Sequence, residues 1–175
     1  TMVPPGQVAT LFPQELGFPD QSVFGSGVGA SAYKITSTAP VVAYQFNPLD
    51  NVNVFSNDGS LLIPRHTFDT GYFAMSFPTF ASRPDAKDRA GYTAAVAWKD
   101  GTEVTVTPSV DVRAGLSQAL IPAGTPTAFT LNAFDVLNLE AVGDGDLTGT
   151  KLEVTAGADA TIGVFSGHEA AVISD

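Results

Sequence analysis

Short runs rich in Val, Ile, Thr, Phe and Tyr recur along this chain, separated by breaks that carry glycine or proline. Runs of this kind between turn residues predict short β-strands. The pattern places strands at residues 33–37, 41–46, 72–77, 92–98, 103–107, 128–131, 136–141, 152–155 and 161–165. In Thr102-Glu103-Val104-Thr105-Val106-Thr107 the valines fall on one face and the Thr and Glu side chains on the other. That alternation describes a strand with one buried and one wet face. Lys99-Asp100-Gly101 carries an Asp-Gly turn signal, so residues 92–107 are expected to form a β-hairpin. No segment sustains the 3.6-residue period of a helix, and at most one helical turn is expected, near residues 84–89. The expected fold class is all-β: an antiparallel β-sandwich, or two related sandwich halves packed together.

A weak internal repeat supports the second form. Tyr33-Lys34-Ile35-Thr36-Ser37 followed by Pro40-Val41-Val42-Ala43-Tyr44 aligns with Leu152-Glu153-Val154-Thr155-Ala156 followed by Ala160-Thr161-Ile162-Gly163-Val164. A glycine-rich turn precedes each copy, Gly25-Ser26-Gly27-Val28-Gly29 and Gly143-Asp144-Gly145-Asp146. The organisation expected is one β-rich domain over 1–175 with pseudo-repeated strand pairs at 30–47 and 149–167. Two copies are too few for a solenoid.

Composition narrows the class of partner. At 175 residues with 44% hydrophobic content, the chain has the length and the apolar material for a real core. Only 15% of residues are charged, which with this hydrophobicity excludes a disordered segment. Eighteen acidic against 8 basic residues give a net charge of −10. The basic residues are scattered from Lys34 to Lys151, whereas phosphate binding needs them clustered, so neither nucleic acid nor an anionic membrane is expected. The absence of cysteine removes disulfide frameworks, zinc thiolates and thiol nucleophiles. No apolar run approaches the ~20 residues of a membrane helix. The opening Thr1-Met2-Val3-Pro4-Pro5-Gly6 looks like the start of a mature fragment, with any targeting segment removed.

Candidate chemistry is sparse. Ser166 in Gly163-Val164-Phe165-Ser166-Gly167-His168 lacks the glycine spacing and the following helix of a nucleophile elbow, so no catalytic residue is expected. His66 and His168 are far apart in sequence, and His168-Glu169 are neighbours that a strand would point to opposite faces, which disfavours zinc. Calcium is the better cation, because hard ions take loop carboxylates and amides. Its candidates are Asp50, Asn53 and Asp58 in one loop and Asp144 and Asp146 in another, though Asp and Asn populate turns for their own hydrogen bonding. No other cofactor is expected; the Gly25–Gly29 run lacks the G-x-G-x-x-G spacing of a nucleotide site. Twelve Phe, 4 Tyr and Trp98 supply the core, and any left exposed beside polar loops could stack on sugars or anchor a protein.

Four blocks carry a family resemblance. They are Tyr33-Lys34-Ile35-Thr36-Ser37-Thr38-Ala39-Pro40-Val41-Val42-Ala43-Tyr44-Gln45-Phe46-Asn47-Pro48-Leu49; Ser56-Asn57-Asp58-Gly59-Ser60-Leu61-Leu62-Ile63-Pro64; residues 98–108; and residues 146–150 running on to 164–169. In these the chain resembles the IgGFc-binding protein N-terminal domain family, in its bacterial, myxobacterial-type members. Relatives continue into a Cys- and His-containing segment, so the resemblance implies the first part of a longer protein. It further implies a secreted or cell-surface binding or adhesion module without catalysis. The ligand would be a protein or glycan at the cell surface, with self-association as a further expectation. Alternatives are a structural subunit of a surface fibre or sheath, and an accessory carbohydrate-binding domain or hydrolase. The motif residues Tyr44, Gln45, Asn47, Asn57, Asp58 and His168 are candidates for binding, while Gln45, Asn47, Asn57 and Asp58 are equally suited to pinning a loop by side-chain-to-backbone hydrogen bonds.

Overall fold

A computed structural model describes residues 1–47, 58–80, 88–116, 118–169 and 171. It is all-β, as the strand patterning predicts, with two four-stranded antiparallel sheets and a separate two-stranded ribbon. In the first sheet, β1 (Gly27–Ser31) pairs with β8 (Asp135–Glu140), then β5 (Gly91–Ala97), then β10 (Ile162–His168). The second runs β4 (Gly71–Phe73), β9 (Lys151–Ala156), β6 (Thr102–Thr107), β7 (Thr127–Leu131). The ribbon pairs β2 (Tyr44–Asn47) with β3 (Asp58–Leu61).

The sheets stack through the alternation read from the sequence. In β5, Gly91, Thr93, Ala95 and Ala97 are buried while Tyr92, Ala94 and Val96 are only half-buried. In β6, Thr102, Val104 and Val106 point in. Leu137, Leu139 and Ile162 of the first sheet meet Val104, Val106, Leu131 and Leu152 of the second in one core, all of them fully buried. Each such side chain contributes roughly 1.5–3 kcal/mol on leaving water. Small residues on the inner face of β5 allow the longer leucines of β8 to fill the space between the sheets.

Three expectations about connectivity are corrected. Residues 92–107 are not a hairpin: β5 and β6 lie in different sheets, and Lys99-Asp100-Gly101, with Gly101 at φ +66°, carries the chain across the sandwich as an arch. The Asp-Gly signal specifies a tight reversal, and either sheet of a sandwich accepts the alternating strand that follows. The expected strands at 33–37 and 41–46 shrink to β2, because residues 33–42 are exposed and no neighbouring strand pairs with them. The strand pairs at 30–47 and 149–167 are likewise not pairs. In the first copy residues 33–43 form no strand, and in the second β9 and β10 belong to different sheets. The latter two are joined by a second arch at Gly157–Ala160, where Gly157 takes φ +118° and packs against the carbonyl of Gly101. A third arch, Asn132–Phe134, links β7 to β8. The one helical turn described is a 3₁₀ turn, Arg65–Thr67; the turn expected at 84–89 falls mostly outside the described residues.

Candidate binding site

The two ends of the sandwich differ. At the end opposite the arches, β10 finishes on His168, which lies across from Gly91 of β5. Its Nε2–H donates to the Pro78 carbonyl at 2.9 Å, and Phe77 packs edge-on to the imidazole with centroids 5.8 Å apart. Residues 77–80 form a strap over this end. Gly91 N donates to Thr79 Oγ1 (3.1 Å), Thr79 N to Gly145 O (2.9 Å), and Phe80 exchanges two backbone bonds with Arg89. Beside the strap opens a shallow cavity of about 230 Å³ lined by Met75, Ser76, Phe77, Ser166, Gly167 and His168. Its wall is mostly apolar, although the buried Ser76 hydroxyl has no hydrogen-bond partner among the described residues. Ser166 and His168 project to the same side of β10, yet the serine hydroxyl pairs with Thr93 Oγ1 at 3.0 Å and the imidazole Nε2 is held by Pro78. His168 and Thr79 thus hold the strap, while Ser166 is tied to Thr93 within the sheet.

A charged group that sequence reasoning missed lies close by. Glu140, the last residue of β8, is only 8% exposed. Asn138 Nδ2 donates to its carboxylate at 3.4 Å, and Arg113 stands 4.0 Å away while bonding Asp88 at 2.9 Å. Burial raises the Glu140 carboxyl above its ordinary 4.5, and the charge of Glu169 adds to this, against the opposing pull of Arg113 and of hydrogen bonds from Gly25 and Asn138. The native state thus holds this proton more tightly than the unfolded chain does. The carboxylate penalty is present at neutral pH and is relieved as pH falls through the raised value. Glu140→Gln is expected to be more stable than the parent at pH 7, with the difference shrinking on acidification. Urea denaturation of both proteins across that range measures it, and a pH-independent difference would refute the assignment. The sequence Val136-Leu137-Asn138-Leu139-Glu140 signals a strand but not a buried terminal acid, since Arg113 and Asp88 are remote in the chain.

The motif residues fall on the ribbon. Tyr44 stands across from Leu61, Gln45 from Ser60, Phe46 from Gly59 and Asn47 from Asp58. Residues two apart on a strand share a face, as do cross-strand partners. Tyr44 (61% exposed), Phe46 (52%) and Leu61 (54%) therefore make one apolar face, with the Phe46 ring lying over Gly59. Asn57 lies outside the described residues, as do the calcium candidates Asp50 and Asn53. Of the other candidates, Asp146 accepts from both the backbone N–H and the hydroxyl of Thr148, at 2.9 and 2.7 Å, closing its own turn. Asp144 is exposed in the preceding turn. Among the described residues, no group of three His, Asp or Glu is arranged to hold a metal ion. His168 and the ribbon residues are not brought together by the described hydrogen bonds or strand pairings; His168 serves the strap end.

Comparison with known proteins adds one finding. The family model described as IgGFc binding protein matches residues 58–175. The match takes in the ribbon's second strand, both sheets except β1, and three of the four resembling blocks at least in part; the block at 33–49 precedes it. No curated protein and no solved structure matches the chain. Among the described residues, no helix is long and apolar enough to cross a membrane. With about two thirds of its length inside that family model, this chain belongs to the IgGFc-binding protein family.

Proposed function

We propose that the chain is an extracellular, non-catalytic binding module, and that the apolar face of the β2–β3 ribbon is the surface it offers to a protein partner. The observation that carries this reading is the exposure of Tyr44, Phe46 and Leu61 together on one side of a two-stranded ribbon. A lone two-stranded ribbon is marginally stable in water, and a contacting surface would complete its burial. Rigid aromatic anchors supply most of the energy at protein interfaces. The family's description supports an immunoglobulin Fc region as the first partner to try.

The test uses biolayer interferometry with immobilised Fc fragment and the purified chain in solution. Saturable binding is expected, together with at least a tenfold loss of affinity in the double variant Tyr44→Ser/Phe46→Ser. Both positions lie outside the core, so circular dichroism should be unchanged. Parental affinity in the folded double variant would remove the ribbon from the interface. No saturable binding to Fc would remove Fc as the partner.

A further inference from the structure

The arch end carries an arrangement of charge that the ribbon does not explain. Trp98 is the only tryptophan in the chain, and it opens the β5–β6 arch. Its ring meets Phe134 edge-on, with centroids 5.6 Å apart. Two cations approach the same indole: Lys34 Nζ at 5.2 Å from the ring centroid and the Arg65 guanidinium at 5.3 Å. Lys34 also stands 6.0 Å from the Phe134 ring.

Neither cation has a carboxylate partner among the described residues, although the chain carries 18 acids for 8 bases. The acids of the arches are engaged elsewhere. Asp100 accepts from the Ala133 N–H at 2.8 Å, Asp135 from the Asn132 N–H at 2.8 Å, and Asp159 pairs with Lys99 at 3.4 Å. Two cations beside one ring leave a local excess of positive charge that no carboxylate of the described residues answers. An anion bound at this cluster would supply the missing counter-charge, with the guanidinium fork offering two parallel donors.

The backbone fixes where these groups stand. Trp98 N donates to Thr161 O, Phe134 N to Ala97 O, and Ala32 N to Phe134 O, so the segment leading into Lys34 is tied to the arch beneath it. Arg65 sits on the 3₁₀ turn Arg65–Thr67, whose own hydrogen bonds run back to Pro64 and Arg65. Lys34 and Arg65 are exposed, while Trp98 and Phe134 are half-buried.

We propose that Lys34, Arg65 and Trp98 form a binding site for the carboxylate of an acidic sugar. The net charge of −10 disfavours a polyanion, because each additional negative charge meets a repelling surface beyond the two cations. A ligand with one carboxylate escapes that repulsion. The rest of a sugar ring is amphipathic and suits the half-buried aromatic surface of Trp98 and Phe134. The site lies on elements other than the β2–β3 ribbon, so it does not depend on the ribbon's role.

Because Trp98 is the only tryptophan, its fluorescence reports on this site alone. The intact chain is titrated with 3′-sialyllactose, with lactose and with a hexaglutamate peptide, and saturation-transfer NMR on the ligands gives a second readout. A saturable emission change is expected with sialyllactose and not with lactose, weakening as salt is raised. Lys34→Ala/Arg65→Ala should weaken sialyllactose binding at least tenfold by NMR with the thermal transition retained. An equal response to lactose would show neutral stacking and overturn the proposal. Tighter binding of hexaglutamate would reassign the site to an acidic peptide. Undiminished binding in the double variant, or no saturable response from the parent, would also overturn it.

Discussion

Gly91→Ala is expected to destabilise the fold by about 3 kcal/mol, a large effect for a single methyl group. A Cβ at position 91 would stand 2.1 Å from the Phe77 carbonyl oxygen and 3.3 Å from its carbon. These are backbone atoms, so no rotamer change relieves the clash and the 77–80 strap has to lift. Lifting it endangers the bond from Gly91 N to Thr79 and the one from His168 to Pro78, and it opens the end of the core. Denaturant titration followed by Trp98 emission should give a lower midpoint with an unchanged slope. A midpoint within error of the parent would mean that the strap is not seated on β5.

Leu139→Ala is expected to cost about 3–4 kcal/mol, within the range for a fully buried leucine that leaves a cavity. Leu139 is 0% exposed on β8, an inner strand of the first sheet, and belongs to the cluster shared with the second sheet. Leu61→Ala provides the contrast: that side chain lies on the exposed ribbon and its loss should change stability very little. The two variants measured side by side separate core from ribbon. Comparable losses would place the ribbon inside the cooperative core and undo its reading as a presented surface.

How far the fold was legible varies with the kind of signal. Strands such as β6 and β8 announce themselves because Val104 and Val106, and Leu137 and Leu139, recur at a two-residue period while the flanking residues mark the turns. Which sheet each strand joins was not legible. Asp100-Gly101 looks the same whether it closes a hairpin or arches across a sandwich, because both need only a sharp reversal with a left-handed glycine. The apolar run through residues 33–43 reads as strand on composition, yet tertiary context decides strand formation and no strand pairs along 33–42.

The candidate surfaces show the same division. Tyr44 was picked out by its motif, and its exposure beside Phe46 follows from a two-residue period that any strand shares. The convergence of Lys34, Arg65 and Trp98 was invisible because it joins three remote segments, and eight scattered basic residues give no hint that two of them meet. Glu140 stayed hidden for the same reason, its neighbours Arg113 and Glu169 being brought in by the fold.

The three arches have a consequence for how the chain reaches this structure. Since β5 and β6, β7 and β8, and β9 and β10 each divide between the sheets, the ladders β5–β8, β5–β10 and β6–β9 join segments distant in sequence. In the two four-stranded sheets only β6–β7 joins consecutive strands, its connection closing through the Val112–Ile121 and Gly115–Gln118 bridges, and across each arch a strand laid into one sheet fixes the start of a strand in the other. Loop closure has to be paid before most of the ladder forms, which slows folding and couples the two layers into a single event. A half-assembled sandwich has few ladders of its own, and the molecule is expected to gain or lose both sheets together.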